Sequence, residues 1–524
     1  MRVLNKNLSE ELDRVASDNF GISSIHLMEI AGKVSADVID KDFSSKNQRK
    51  AIIICGPGNN GGDGFVIARL LFIYGWTVNV FVLSEIDKYK DAAYENLKIL
   101  LNCSENSEDK IKVYISYDSK QIIDTISQLN PDLIVDAIFG VGLTRPIEGF
   151  ISDIIEYINN SKIAPIYSID IPSGISADTG EILGVAIKAE KTITFSNPKV
   201  GHLLYPGKGY TGELIIEEIG IPKELISKKK PNLFTFTSLD EIKPYLKTRE
   251  KDTHKGDYGR VLVLGGSKNY IGALSLATSA SIKTGTGLTY AAYKENLKHQ
   301  FSSSLPDECI HLPLPTDDKG LFSDITLNAL INLPINKNLI LLVGPGIGRD
   351  KDVINFIKQI YLNWDGVMVF DADALFAIHE IINEFKHKAK LVLTPHIGEM
   401  SYLTGLGVDL IKRNLVEIAD NYAHTWDCTI VLKSASTVIA SEDDNIYINN
   451  FGNPGMAKGG SGDVLSGTIA SFLAQEYEPF NASLLGCTIH SIAGDLAAKV
   501  KTEWSLTPTD IIDYIPKAFK AISS

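Results

Sequence analysis

The sequence predicts two α/β domains joined by a short polar linker, each built on a parallel sheet covered on both faces by helices. Three observations lead there. Short runs rich in Ile and Val alternate with helical patterns along the chain, as in sheets buried on both sides. Two such successions are separated by a polar, basic stretch, KELISKKKPN at 223–232. A chain of 524 residues also exceeds what one hydrophobic core serves. We place the first domain at 1–225, the linker at 226–236 and the second domain at 237–524.

The elements follow in order. Residues 9–39 carry helical spacing in two pieces, broken at Gly21. Strands are expected at AIIIC (51–55), TVNVFVL (77–83), KVYIS (112–116), LIVDAIF (133–139) and IYSIDIP (166–172), then KTITF (191–195) and GELIIEEIGIP (212–222). After the linker come GRVLVLGG (259–266), GLTYAAY (287–293), LILLVGPG (339–346), GVMVFDAD (366–373), LVLTP (391–395) and TIVLK (429–433). A helical, glycine-containing stretch, GDVLSGTIASFLA, follows at 462–474. The halves share a GPG tripeptide at 56–58 and 344–346 but no common period, so they are separate domains rather than repeats.

Composition narrows the function classes. The net charge is −13, from 51 basic and 64 acidic residues, which argues against nucleic-acid and membrane partners. An anionic small molecule would need backbone amides and a few placed cations. Five cysteines lie far apart with no C-x-x-C pair, as expected of reduced thiols in a cytoplasmic protein rather than a disulfide framework or structural zinc. The N-terminus lacks an apolar leader, and no apolar run approaches the 18 residues of a membrane span.

The loop CGPGNNGGDG (55–64) lies between a strand and a helix, with the Gly56-x-Gly58-x-x-Gly61 spacing of a dinucleotide site and a Rossmann-like setting. It departs from a hydride-transfer site in two ways. Asn59, Asn60 and Asp63 crowd the loop, and only Glu85 stands loosely where a ribose-binding acid is expected. Asp136 in VDAIFGVGLTRP, and Asp170 and Ser173 in SIDIPSG, stand at other strand ends. Ligands of open α/β sheets gather there. Asn60, Asp136 and Ser173 are hard oxygen donors that suit a cation; as an alternative, the two acids cap turns.

LMEIAG (27–32), GPGNNGGDG, DAIFGVGL and DIPSG, in this order, resemble the N-terminal, epimerase domain of the bifunctional NAD(P)HX-repair enzymes. The likeness spans roughly residues 1–222, with Ile30 where the family often has Asn. It implies substrate contacts from Asn59, Asn60, Gly61, Gly62 and Asp63, and from Gly140, Val141, Gly142, Leu143, Thr144, Arg145 and Pro146. It further implies potassium (K+) held by Asn60, Asp136 and Ser173, with Asp170 as the acid/base group. Arg145 is the natural cation for a phosphate, or a solvated loop residue.

In the second half no GxxxxGK[ST] is present, which excludes a P-loop. Gly459-Gly460-Ser461-Gly462-Asp463 precedes an apolar helix. Consecutive glycine amides close on phosphate oxygens, the helix dipole stabilises negative charge, and Asp463 is placed to take a proton from an attacking hydroxyl. This resembles the anion hole of ribokinase-like kinases; the plainer alternative is a capped loop.

With HKGDYGRVLVLGGS, GPGIGR, FDADAL, TPHIGEMSYLTG, KSAST and GNPGMAKGGSGD, the half resembles the ADP- or ATP-dependent NAD(P)HX dehydratase over roughly 235–520. The likeness implies nucleotide contacts from Lys433, Ser434, Ala435, Ser436, Thr437 and Gly462. It implies that Ala273, Gly346, Gly348, His396 and Asp463 face the hydrated nicotinamide nucleotide. Asp371 and Asp373 face magnesium phosphate or cap a strand, and Thr286 stands where the family often has Ala.

The expected activity is therefore repair of hydrated NADH and NADPH, with potassium in the first domain and Mg2+ with ADP or ATP in the second. The expected assembly is a cytoplasmic homo-oligomer. The other reading is a small-alcohol kinase of the vitamin type, carrying a non-catalytic nucleotide-binding module at its N-terminus.

Overall fold

A computed structural model describes residues 1–524 except 108, 223, 224, 226–230, 334–338, 386, 388 and 524. It divides into two compact units, Arg2–Lys229 and, together with Met1, Lys230–Ser524. Residues 226–230 of the expected linker lie outside the described residues.

The first unit holds seven strands: β1 (Lys50–Cys55), β2 (Thr77–Val82), β3 (Ile111–Ile115), β4 (Leu133–Ala137), β5 (Ile166–Ile169), β6 (Lys191–Phe195) and β7 (Glu213–Glu217). They form one parallel sheet in the order β3-β2-β1-β4-β5-β6-β7. Alternation along each strand feeds two cores. Ala51, Ile53 and Cys55 of β1 pack with Phe65 and Leu97. Ile52 and Ile54 face the other way, toward Ile122, Ile154 and Ile158. This is the three-layer, Rossmann-like arrangement, and its strand order reverses between β1 and β4. A crevice at that switch point is where such sheets bind ligands.

The second unit carries ten strands: β8 (Asn232–Phe234), β9 (Arg260–Leu264), β10 (Leu288–Lys294), β11 (Ile310–Leu314), β12 (Leu339–Val343), β13 (Met368–Phe370), β14 (Leu391–Leu393), β15 (Thr429–Leu432), β16 (Val438–Ala440) and β17 (Asn445–Ile448). Their order is β11-β10-β9-β12-β13-β14-β15-β16-β17-β8. The sheet is parallel from β11 through β15, then antiparallel through β16 and β17. Helices Ile271–Thr284, Ser461–Ala474, Pro479–Lys501 and Pro508–Ser523 carry its main core with Val261, Val263, Ile340 and Leu342. On the opposite face Tyr361, from helix Lys351–Asn363, meets Phe370 of β13. This is the α/β architecture expected of a ribokinase-like domain.

Three expectations shift in detail. Helices Lys6–Phe20 and Ser24–Asp42 bracket Gly21, whose φ of +68° closes the first helix in the left-handed region where glycine is favoured. The strand expected to run to residue 139 stops at Ala137, and the one expected to run to 172 stops at Ile169, where Asp170 turns to φ +66° and the chain leaves the sheet for the site. Finally, β8, β11, β16 and β17 have no counterpart in the sequence reading. Pro313 hides β11, since proline weakens a strand signal and is tolerated only at an edge. Three of these four strands have three or four residues, too few for a periodic signal, and β8 falls where a linker was expected.

Candidate active sites

In the first unit the turn after β1 delivers helix Asn59–Ile73 against the switch point. Glycine is demanded there by close approach. A Cβ on Gly56 would meet the carbonyl oxygen of Ile138 at 1.9 Å, and one on Gly61 the oxygen of Gly56 at 2.0 Å. The result is a cleft of about 570 Å³ lined by Asn59, Asn60, Asp63, Gly140, Val141, Gly142, Leu143, Thr144, Arg145 and Asp170 among others. Gly61, Gly62 and Pro146 lie off this surface, the first two packed inward against Gly56 and Met28. Arg145 is exposed on the 140–146 loop. Gly140 lies against both Asp170 and Asn60, so the loop, the acid and the amide converge.

Asp136 lies behind the cleft, buried, and accepts hydrogen bonds from Ser168 Oγ (2.8 Å), the Ser173 amide (2.9 Å) and Ser173 Oγ (2.5 Å). Burial pushes its carboxyl above the ordinary range against those bonds. Ser173 Oγ also accepts from the Phe139 amide at 2.9 Å. Asn60 differs: it is 7% exposed, and neither its amide oxygen nor its nitrogen has a protein partner. A buried orphan amide of this kind is what an oxygen-seeking cation or a ligand would satisfy.

The structure adds two residues that the sequence did not single out. Lys199, buried, donates from Nζ to Asp170 Oδ1 at 2.6 Å, to Thr194 Oγ1 at 2.8 Å and to the Phe195 carbonyl at 3.3 Å. Burial pushes the Asp170 carboxyl up, but the Lys199 charge and its hydrogen bond prevail and hold it below its ordinary value. Asp13, on helix Lys6–Phe20, also lines the cleft. Its side chain is exposed at the mouth of the cleft, yet the crowded cleft wall and the charge of Asp170 push its carboxyl up to about 6. Asp63 is driven well above its ordinary value by burial and by Asp170 and Asp13. A lysine two residues past a polar SN pair gives no sequence signal of burial, and an acid in an amphipathic helix gives none of a place in a cleft wall.

In the second unit Gly460 adopts φ +99° and opens helix Ser461–Ala474, with Asp463 in its first turn. Asp463 is pushed up to about 7 by burial, then by the charge of Asp371, while Lys433 draws it down. Lys433 Nζ donates to Asp371 Oδ1 at 2.8 Å and lies 3.9 Å from Glu399. The Lys433 amide bonds the Pro395 carbonyl at 2.8 Å, which ties the 433–437 stretch to the 394–399 turn. Ser434 Oγ donates to the Ser436 carbonyl at 2.6 Å, Thr437 Oγ1 donates to the Ser434 carbonyl at 3.4 Å, and Ala435 lies between them in this folded loop. Gly462 lies against Lys433 Nζ.

His396 caps helix Ile397–Thr404: its Nδ1 accepts from the Glu399 amide at 3.0 Å, and its own amide donates to Glu399 Oε2 at 2.8 Å. A smaller cavity of about 170 Å³ is lined by Arg349, Phe376, His396, Glu399 and Tyr402. Gly346 packs on Ala273, and the Gly348 amide donates to Asp373 Oδ2 at 3.0 Å. Asp371 and Asp373 are both engaged by protein donors, the latter also by Arg349 Nε at 2.6 Å. The Thr286 hydroxyl is absorbed by Ser471 at 2.7 Å, on the helix that carries Asp463.

Each unit thus sets a glycine-rich turn, a lysine–carboxylate pair and a further acid beyond the strand ends, which defines a protein with two enzyme-like sites for anionic small molecules. The NAD(P)H-hydrate dehydratase family matches residues 261–517, and the family described as the N-terminus of YjeF-related proteins matches 24–201. The bifunctional NAD(P)H-hydrate repair enzyme Nnr of Moorella thermoacetica is 37% identical over 97% of this chain and 94% of its own length. The enzyme of that name from Escherichia coli is 31% identical, covering 96% and 91%. A crystal structure of the ADP/ATP-dependent NAD(P)H-hydrate dehydratase of Bacillus subtilis with ATP and Mg2+ is 26% identical and has a TM-score of 0.48, covering 55% of this chain and 98% of that one. The chain belongs to the bifunctional NAD(P)H-hydrate repair enzymes.

Proposed function

We propose that the first unit interconverts the R and S forms of hydrated NADH and NADPH, and that the second dehydrates the S form at the expense of ADP. The carrying observation is Asp463. It sits at the start of a buried helix, behind three glycines and beside the Lys433–Asp371 pair. Hydrated NADH bears a hydroxyl at C6, next to the ring nitrogen, and hydroxide is a poor leaving group. Asp463 takes the hydroxyl proton as the oxygen attacks the terminal phosphoryl group of the nucleotide. Free amides at the helix N-terminus face the charge that develops. The nitrogen lone pair then expels phosphate, a C5 proton is lost, and the reduced ring is restored.

Lys433 and the 434–437 loop hold the nucleotide in this reading, while Ala273, Gly346, Gly348 and His396 face the nicotinamide side. We take ADP as the donor, and substitution of ATP tests it. Mg2+ accompanies the nucleotide, and in this reading the Asp463 carboxylate would be available to it.

In the first unit Asn59–Asp63 and Gly140–Pro146 contact the hydrated dinucleotide, and Asp170 assists reversible opening or dehydration at C6 as the acid/base group. The buried Asn60 amide, which has no protein partner, supports a cation ligand, and Asp136 and Ser173 add hard oxygen donors that are bonded to each other. Asn60, Asp136 and Ser173 would hold it, and it would supply positive charge to an anionic substrate. No helix among the described residues is long and apolar enough to cross a membrane. Five free thiols support a cytoplasmic location, and exposed Trp504 and Val500 support assembly into a homo-oligomer, which light scattering tests. Omitting potassium is expected to slow interconversion of R and S while sparing dehydration of S; equal rates with and without it count against the assignment.

A further inference from the structure

The helix Lys6–Phe20 precedes the stretch matched by the family, residues 24–201, yet it supplies Ser9, Glu10, Leu12 and Asp13 to the cleft wall. It is not loosely laid there. The Leu4 amide donates to the Pro198 carbonyl at 2.9 Å, and the Val200 amide donates to the Leu4 carbonyl at 3.0 Å, so Leu4 pairs with the segment that carries Lys199. Asn197 Nδ2 bonds the Arg2 carbonyl at 3.0 Å, and the Lys6 amide bonds Asp178 Oδ1 at 2.6 Å. The residues that aim Lys199 at Asp170 therefore also fix the helix that carries Asp13. Within the same cleft Asn60, 93% buried by its 7% exposure, presents an amide with no protein partner. The cleft is shaped to receive a polar group among Asp13, Asp63 and Asp170.

We propose that Asp13 is a second catalytic residue of the epimerase site, exchanging a proton with the C6 oxygen while Lys199 positions Asp170 as its partner carboxylate. This rests on the epimerase reading given above. Inversion at C6 needs the oxygen to leave one face and return to the other. The C6–O bond breaks with its electron pair going to oxygen, which takes a proton from Asp13 and departs as water. The ring-nitrogen lone pair forms the C6–N double bond in the cation that remains. A water molecule then adds to the opposite face, its electrons forming the new C6–O bond, the iminium pair returning to nitrogen, and its proton going to Asp170. The reverse reaction exchanges the roles. One carboxyl enters protonated and the other ionised, as the differing surroundings of the two acids allow. Nothing beyond water is consumed, and the C6 oxygen is exchanged with solvent.

The test uses the full chain without nucleotide, pure R-hydrated NADH and 18O-labelled water, read by chromatography and mass spectrometry. Wild type is expected to form S with 18O at C6. Asp13→Asn should lower kcat for interconversion about 100-fold, within the range of general acid–base contributions, with KM little changed. Asp13→Glu should recover a substantial part, and dehydration of S with nucleotide should remain at the wild-type rate in both variants. Wild-type interconversion rates in Asp13→Asn, or a loss confined to KM, would overturn the assignment while leaving the epimerase reading intact. S formed without 18O would overturn the proton-transfer route. A wild-type chain that leaves R unconverted would overturn both.

Discussion

Asp463 can act as a base only after losing its own proton, and its surroundings place that event at about pH 7. A raised carboxyl is protonated below its pKa, so the active form is lost as pH falls. The kcat/KM for dehydration of the S form should drop about tenfold per pH unit below 7 and level off above it, in a profile measured from pH 5 to 9. The sign for stability is opposite. Protonation is tighter in the folded state, so Asp463 favours folding at low pH and that contribution is lost as pH rises through about 7. In the other unit, Asp170→Asn should abolish interconversion of R and S and leave dehydration intact. It also strands Lys199 in a buried site, and breaking a buried pair costs about 3–5 kcal/mol. Denaturant melting should show that loss, and adding Lys199→Met should return most of the stability but none of the activity. Asp463 and Asp170 were legible in the sequence because each follows a strand or glycine run at a site-forming end. Lys199 and Asp13 were not, because the pairing of Lys199 and the placing of the Asp13 helix on the cleft depend on segments far apart in the chain.

At the scale of elements, the helix bearing Asp463 is held by close packing on helix Ile271–Thr284 rather than by polar contacts alone. A Cβ on Gly467 would lie 2.1 Å from the Ala277 carbonyl oxygen. Alanine gains about 0.5–1 kcal/mol of helix preference over glycine, whereas overpacking costs about 1–3 kcal/mol and here strikes backbone. Gly467→Ala should therefore destabilise the second unit by about 1–2 kcal/mol and depress dehydration, with interconversion unchanged, as read by calorimetry and both assays. The parallel strands were readable because consecutive Ile and Val are buried on both faces, as in β1 and β12. The edge strands were not: β11 carries a proline and exposed Ile310, and β8 is only three residues long. Their pairing is decided by partners distant in sequence. The glycine-rich turns were legible in type, but which glycines face ligand was not. Gly61 and Gly62 pack inward, and their neighbours Asn59 and Asn60 line the cleft.

For the whole molecule, the account assigns each step to a different unit and lets the S form pass between them. A fusion is not chemically required if S is released to solution. An equimolar mixture of the Asp170→Asn and Asp463→Asn chains should then repair both epimers, though neither chain does so alone. Failure of the mixture, with each single activity verified, would mean that S is not released. The most direct test of the central claim is chromatography of mixed R- and S-hydrated NADH incubated with the full chain, potassium, Mg2+ and ADP, then with ATP in place of ADP. The account predicts that both epimers disappear while NADH and AMP appear together, and that withholding nucleotide stops NADH formation without stopping R–S interconversion. Loss of S alone would contradict the role given to the first unit. Persistence of both epimers with the fold intact, and phosphorylation of a vitamin-type alcohol instead, would contradict the account as a whole.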